Sequence, residues 1–136
     1  MPGYSGTPLP KKLGIKEGFR VCLVDAPADV RAELKAELAK CEAPRRGPID
    51  FAMVFTKSKG ALTKQFVRVA EQLASAGMLW VSWPKKTSGL ATDVDENVVR
   101  AIGLAAGLVD VKVCAVTEVW SGLKFVRRLK DREKSR

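Results

Sequence analysis

The stretch from Gly77 to Lys86 reads GMLWVSWPKK, and it decides which fold the rest of the chain can form. The residues from Met78 to Trp83 are almost all apolar and lead into Pro84, a pattern typical of a strand buried on both faces of a parallel sheet. Ligands of open α/β sheets bind outside the carboxyl ends of the strands, so the tryptophans and lysines at this exit mark the expected position of a site.

Apolar strands and amphipathic helices alternate on both sides of this stretch. Strands are predicted over residues 19–24, 49–55, 108–116 and 120–128. Helices are predicted over residues 28–40, from the Ser58 cap to the stop at Ala76 and Gly77, and from the Thr92 cap to the stop at Gly107. The connection over residues 117–119 is too short for a crossover, so the last two strands form an antiparallel hairpin. We therefore predict a three-layer, Rossmann-like α/β fold with one sheet of about five strands, the last of them antiparallel.

Details of the helix ends are also predicted. Ser58 is expected to cap the second helix, whose apolar stripe ends at Leu73, and Thr92 is expected to cap the third helix because Asp95 follows it by three residues. Glycine and proline in the first ten residues predict an extended arm over residues 1–18. A single α/β domain then spans residues 19–128, and residues 129–136 form a basic tail.

The charge of this 136-residue chain is concentrated at its two ends. The net charge is +9, of which residues 1–20 carry +3, residues 21–123 carry +1 and residues 124–136 carry +5. Because a basic tail is usually a solvated terminus, we expect nucleic acid to bind only nonspecifically, if it binds at all. The chain contains no histidine, which excludes Ser-His and Cys-His nucleophile pairs and removes the most frequent metal ligand.

The cysteines and the hydropathy pattern indicate a cytoplasmic protein. Cys22, Cys41 and Cys114 lack Cys-x-x-Cys spacing and are odd in number, which predicts neither a disulfide framework nor a metal site. No apolar run reaches the roughly 20 residues that a membrane helix needs, and no hydrophobic stretch follows the first lysines. We expect no membrane contact.

Polar and aromatic residues follow the predicted strands at one edge of the sheet. The predicted site, called the rim below, consists of Asp25, Lys57, Ser82, Trp83, Lys85, Lys86 and Trp120. Its lysines suit a phosphate or carboxylate, and its tryptophans suit a flat ligand, although solvated lysines and core tryptophans are the alternative interpretation. Asp25 is the one candidate for a general base, and a helix cap is its simpler role.

Four stretches carry a family resemblance: GYSGTPL at 3–9, WVSWPKK at 80–86, VDVKVCAV at 109–116 and WSGLK at 120–124. They resemble an uncharacterised family of small bacterial proteins known only as a domain of unknown function. The resemblance covers nearly the whole chain. It implies no activity, ligand or catalytic residue.

A second resemblance concerns the order of the elements. The stretches IDF at 49–51 and AGML at 76–79, with the closing hairpin, resemble the fourth to seventh strands of a class I S-adenosylmethionine-dependent methyltransferase that lacks its second and third strands. This resemblance implies the sheet order 1-2-3-5-4. That family's first strand runs into a glycine-rich turn at the cofactor, whereas this chain has DAPAD at 25–29, so we predict no cofactor.

Three functions remain open at this stage. The first is a noncatalytic Rossmann-like module that binds an anionic small molecule or a protein partner at the rim. The second is a small transferase-like enzyme that uses the same rim with Asp25. The third is a nucleic-acid accessory protein that uses the basic tail. The missing glycines and histidines favour the first, and the sequence leaves the oligomeric state open.

Overall fold

The computed structural model describes residues 7–44 and 47–134, and within them five strands form one mixed sheet. The strands are β1 (Val21–Val24), β2 (Ile49–Phe55), β3 (Leu73–Pro84), β4 (Leu108–Ala115) and β5 (Trp120–Arg127). The helices are α1 (Leu9–Leu13), α2 (Ala28–Leu38), α3 (Lys59–Ala70), α4 (Glu96–Ala105) and α5 (Leu129–Lys134), and a 3₁₀ turn spans Lys86–Ser88.

The strand order across the sheet is β1-β2-β3-β5-β4, as the methyltransferase resemblance implies. β1, β2 and β3 run parallel, and β5 runs antiparallel to both β3 and β4. The predicted Rossmann-like α/β fold with an antiparallel last strand is therefore confirmed. β1 and β4 are the two edge strands of this sheet.

Two apolar layers cover the sheet, one on each face. Successive residues of β3 point to opposite faces, so Trp83 lies in the layer packed under α3 and α4, and Trp80 lies in the layer packed under α1 and α2. Phe66 of α3 and Leu34 of α2 are fully buried members of the two layers. This arrangement makes the three layers that the alternating sequence pattern predicts.

The segment before β1 departs from the predicted extended arm, because Leu9–Leu13 is helical. Pro10 is compatible with this helix since it lies in the first turn, where a backbone N–H would have no helical partner. Leu9 and Leu13 are buried against the sheet, and the burial of these side chains holds the short helix in place. Residues 1–6 lie outside the described residues, and the domain boundaries themselves stay predictions.

The junction between α3 and β3 is the second departure. Leu73 was predicted at the end of the helical stripe, but α3 ends at Ala70 and Leu73 begins β3, where it pairs with Ile49. A Cβ atom on Gly77 would stand 2.6 Å from the carbonyl oxygen of Ile49, so this close approach requires glycine. An apolar residue at position 73 fits both the stripe of the preceding helix and the start of a buried strand. Periodicity alone therefore assigned Leu73 to the wrong element.

The beginning of the predicted basic tail is docked at the amino end of β3. The hydroxyl of Ser75 donates to the carbonyl oxygen of Arg132 at 2.6 Å. The guanidinium of Arg127 donates to the carbonyl oxygens of Ala70 and Leu73 at 2.8 and 2.7 Å, where it meets the carboxyl end of α3. In the part of the chain that the structure describes, no helix is long and apolar enough to cross a bilayer.

Candidate functional site

A cleft of about 600 Å³ opens where β3 ends and α4 begins. Its walls are the end of β3, the residues that enter the 3₁₀ turn, the loop before α4, the first turn of α4 and one residue of β5. The lining residues are Trp83, Pro84, Lys85, Lys86, Thr92, Asp93, Val94, Asp95, Glu96, Asn97 and Ser121. This cleft lies at the carboxyl end of β3, as expected for an open α/β sheet.

Hydrogen bonds to the loop after β2 fix the wall that precedes α4. The hydroxyl of Thr92 donates to the carbonyl oxygen of Lys57 at 2.7 Å, and the N–H of Lys59 donates to Oδ1 of Asp93 at 2.7 Å. The exits of β2 and β3 are thereby joined on one side of the cleft. Lys85 closes the other side, since its N–H donates to the carbonyl oxygen of Val119 in the hairpin turn at 2.8 Å.

The cap of α4 is Asp95 and not Thr92. Oδ1 of Asp95 accepts from the N–H of Val98 at 2.9 Å, and Asp95 has the extended backbone of an N-cap residue. The Thr92 hydroxyl is engaged elsewhere, because it donates to Lys57 and accepts from the N–H of Val94 at 3.0 Å. The predicted cap of α3 is confirmed, since Oγ of Ser58 accepts from a backbone N–H in the first turn of that helix.

The carboxylates of the cleft wall are held by groups of the fold. Asp93 and Asp95 accept backbone N–H donors, and Glu96 forms an ion pair with Arg100. Arg100 also donates to Asp110 of β4 at 2.9 Å, and this hydrogen bond lowers the pKa of Asp110 below its usual value. The same two hydrogen bonds, to Glu96 first and then to Asp110, raise the pKa of Arg100.

The lysines of the cleft stand at the exit of β3. Lys86 is exposed, and it makes no side-chain hydrogen bond or ion pair within residues 7–44 and 47–134. Lys85 is half-buried beside it and lines the same wall. The neighbouring side chains of Trp83 and Val94 are almost fully buried and form apolar parts of the lining, which Lys85 and Lys86 share.

The structure brings together only part of the predicted rim. Trp83, Lys85 and Lys86 line the cleft, and Lys57 holds the loop before α4 through its backbone carbonyl. Asp25, Ser82 and Trp120 lie outside the lining residues. All seven residues lie at or next to strand ends on the same edge of the sheet, but the side chains of Trp83 and Trp120 lie on its two opposite faces.

The division follows the alternation of side chains along the strands. Trp83 is 6% exposed and packs in the layer under α3 and α4, whereas Trp120 packs on the other face, edge-on against Phe55 with ring centroids 5.3 Å apart. The two rings therefore cannot hold one flat ligand between them. Ser82 is fully buried, and its hydroxyl donates to the carbonyl oxygen of Ser121 at 2.7 Å, which links β3 to β5.

Asp25 occupies the turn between β1 and α2. Its side chain is exposed, and its φ of 56° is the one positive φ of a residue other than glycine among the described residues. Aspartate tolerates this left-handed conformation better than most side chains do. The left-handed backbone conformation that glycine adopts readily is therefore adopted here by an aspartate, and Pro27 follows it at the start of α2.

The sequence-based rim missed the acidic wall of the cleft. Asp93, Glu96 and Asn97 line it, but none was among the predicted site residues. The available signal was the helix predicted to begin after Thr92, because a helix that follows a parallel strand begins at the carboxyl edge of the sheet. The residues that precede and cap α4 therefore also form a wall of the cleft.

A family profile described as "Protein of unknown function (DUF3052)" matches residues 11–129. None of the curated proteins matches the sequence. Solved structures, in contrast, do match the chain. The chain is similar to magnesium protoporphyrin IX methyltransferase from Synechocystis PCC 6803, with 13% identity, 88% of this chain and 78% of that chain covered, and a TM-score of 0.60.

Two further solved methyltransferases show the same architecture. A precorrin-6y C5,15-methyltransferase from Geobacter metallireducens GS-15 has 11% identity, with 88% of this chain and 86% of that chain covered and a TM-score of 0.59. A SAM-dependent methyltransferase from Aquifex aeolicus has 15% identity, with 90% and 89% covered and a TM-score of 0.58. Identities this low show a shared fold and carry no activity over to this chain.

Proposed function

Because the chain belongs to the DUF3052 family of proteins of unknown function, we propose its function from its own cleft: a noncatalytic module that binds a small anionic molecule there. The observation that carries this proposal is that the cleft is lined by two adjacent lysines, Lys85 and Lys86, while each of its acids has a partner in the fold. Oδ1 of Asp93 and Oδ1 of Asp95 each accept a backbone N–H, and Glu96 forms an ion pair with Arg100.

The size and lining of the cleft support a small molecule. Its volume of about 600 Å³ falls within the range of roughly 300–1,000 Å³ found for small-molecule sites. Pro84 and Val94 provide apolar contact, and Lys85 and Lys86 provide point charges for one carboxylate or phosphate group. An acidic segment of a protein partner would use the same lysines, but a concave cleft of this size favours the small ligand.

The absence of turnover is part of the proposal. The chain has no histidine, and the acids that line the cleft are held in hydrogen bonds or an ion pair of the fold. Asp25, the predicted candidate for a general base, follows β1, which is separated from β3 by β2, and it does not line the cleft. A bound molecule would therefore meet lysines that position it, while the carboxylates beside it already hold parts of the fold.

A transferase-like enzyme is the second candidate, and the fold likeness to methyltransferases favours it. In that case a ligand would bind near the turn after β1, where Asp25, Pro27 and Asp29 stand. Side chains at this turn restrict backbone approach to a cofactor. This restriction supports the noncatalytic module over the enzyme.

We place this function in the cytoplasm. Cys22, Cys41 and Cys114 are free thiols in the structure, and thiols stay reduced in the cytoplasm.

The test is a thermal-shift screen of nucleotides, coenzyme A, sugar phosphates, small carboxylates and S-adenosylmethionine. A ligand at 100 times its dissociation constant adds about 2.7 kcal/mol to the free energy of unfolding. The shift should disappear in Lys85→Ala with Lys86→Ala, and it should persist in Lys35→Ala with Lys64→Ala, which removes the same charge from exposed helix positions. Recovery of chemically altered ligand after long incubation would refute the noncatalytic assignment.

A further inference from the structure

A row of lysines crosses the face of the sheet that α1 covers. Lys112 of β4 lies directly opposite Lys124 of β5, and Lys124 lies directly opposite Trp80 of β3. Residues directly opposite each other in antiparallel strands point to the same face. Because Trp80 belongs to the layer under α1 and α2, both lysines point to that face, away from the cleft.

Lys12 of α1 brings a third ammonium group to this row. Nζ of Lys112 donates to the carbonyl oxygen of Lys12 at 2.9 Å, and Nζ of Lys12 donates to the carbonyl oxygen of Ala115 at 3.0 Å. These bonds fix α1 against β4. An ammonium group has three N–H donors, so Lys112 keeps donor capacity beyond its bond to Lys12.

The charges acting within this cluster have one sign. Partial burial lowers the pKa of Lys124, and the charge of Lys112 lowers it further. Cys114 stands on the same face, and the charges that act on its thiol belong to Lys12, Lys112 and Lys85, although burial is the larger effect and raises its pKa. Like charges placed directly opposite each other in a sheet are destabilising, so Lys112 and Lys124 repel each other. A bound anion would reduce this repulsion.

We propose that Lys12, Lys112 and Lys124 form a second anion site, which binds the phosphate group of a small molecule on the face opposite the cleft. Lysine binds phosphate as a point charge, and a multivalent anion satisfies several ammonium groups at once. The three lysines come from one helix and two adjacent strands, and this local origin favours a single phosphate group over the extended backbone of a nucleic acid. The site goes beyond the proposed function and does not depend on it.

The experiment compares inorganic phosphate and pyrophosphate with sodium chloride at constant ionic strength, with melting temperature and calorimetric titration as readouts. The full chain should be stabilised by pyrophosphate more than by chloride. Lys112→Gln with Lys124→Gln should weaken pyrophosphate binding at least about tenfold, a change of about 1.4 kcal/mol. The matched pair Lys35→Gln with Lys64→Gln, which removes the same charge from α2 and α3, should bind as the unmodified protein does.

Several outcomes would overturn the proposal. They are no stabilisation by pyrophosphate, equal loss in Lys112→Gln with Lys124→Gln and in Lys35→Gln with Lys64→Gln, or a loss that follows Lys86→Ala instead, which would assign the anion to the cleft and leave the proposed function standing. Tighter binding of single-stranded DNA than of pyrophosphate would indicate a nucleic-acid surface instead. If the double variant fails to fold, Lys124→Met should still lose binding while Lys112→Arg, which keeps the charge, should retain it.

Discussion

At the scale of single residues, Trp80 connects the helix before β1 to the centre of the sheet. Its side chain is fully buried, and its Nε1–H donates to the carbonyl oxygen of Leu13 at 2.9 Å. We predict that Trp80→Ala lowers the free energy of unfolding by about 3–5 kcal/mol, as aromatic truncations in cores do. Urea unfolding followed by circular dichroism measures this loss.

A matched variant separates packing from hydrogen bonding at this position. Trp80→Phe keeps most of the apolar contact but leaves the Leu13 carbonyl without its donor, and it should lose about 1–3 kcal/mol. A fully folded Trp80→Ala protein with unchanged unfolding midpoint would contradict the central position of β3.

Gly103 and Gly60 provide a second prediction at this scale. A Cβ atom on Gly103 of α4 would stand 2.0 Å from a ring carbon of Phe125, so Gly103→Ala forces the core to move and should destabilise by about 1–3 kcal/mol. At Gly60 in α3 the added Cβ would meet only Oγ of Ser58, at an ordinary contact distance of 3.8 Å, and Gly60→Ala should stabilise by about 0.5–1 kcal/mol because alanine favours helix. Similar melting temperatures for the two variants would contradict the packing of α4 on β5.

The sequence predicts which residues lie near the candidate site but not the individual contacts that they make. Lys85 and Lys86 follow an apolar run that ends in proline, and this pattern was enough to place them at the cleft. Nothing in the sequence indicates that the Ser82 hydroxyl donates to Ser121, because that bond depends on the register of β3 against β5. Register is a property of two strands together and cannot be inferred from either strand alone.

At the scale of elements, the pair Arg20 and Asp50 joins the start of β1 to β2. Asp50 accepts from Nε, Nη2 and the backbone N–H of Arg20 at 2.9, 3.0 and 2.8 Å. The side-chain hydrogen bond from Arg20 is the main cause that lowers the pKa of Asp50. A carboxyl whose folded pKa lies below its unfolded value of about 3.9 adds stability that is complete above that value.

This contribution should be lost as the pH falls through the folded pKa of Asp50. We predict that Asp50→Asn is less stable than the unmodified protein at pH 7, and that the difference shrinks steadily below about pH 4. Urea unfolding at a series of pH values measures the difference. Glu33→Gln, which removes one exposed carboxylate from α2, should show no such convergence. A difference between Asp50→Asn and the unmodified protein that stays constant down to pH 2 would refute this role of the pair.

Elements were predictable where a local signal is strong. The short connection over residues 117–119 indicates the hairpin of β4 and β5, and continuous apolar runs indicate β1, β2 and β3. The helix Leu9–Leu13 has no such signal, since two prolines flank and enter it and burial against Trp80 decides its conformation. Tertiary contact therefore overrides local propensity at this element.

At the scale of the whole molecule, topology explains both what the predicted rim captured and what it missed. Parallel strands open at one edge, so residues after β1, β2 and β3 were correctly expected along the same edge. The face on which a side chain lies depends on whether its position in the strand is odd or even, because successive side chains point to opposite faces. Trp83 and Trp120 are therefore separated by the sheet, although both stand at that edge.

The molecule combines a methyltransferase-like sheet with a β1 turn made of Asp25, Ala26 and Pro27. Three places are proposed for a ligand: the cleft at the end of β3, the turn after β1, and the lysine cluster of α1, β4 and β5. Each place corresponds to a different function. Locating the bound ligand distinguishes between them more directly than any measurement of affinity.

The most direct test is to titrate the ¹⁵N-labelled 136-residue chain with the ligand that stabilises it most in the thermal-shift screen, while following the amide resonances. We predict that the largest shifts fall on residues 83–97 and on Ser121, and that they vanish in Lys85→Ala with Lys86→Ala. Largest shifts on residues 25–30, with the cleft residues unmoved, would contradict the noncatalytic cleft and favour the transferase-like alternative.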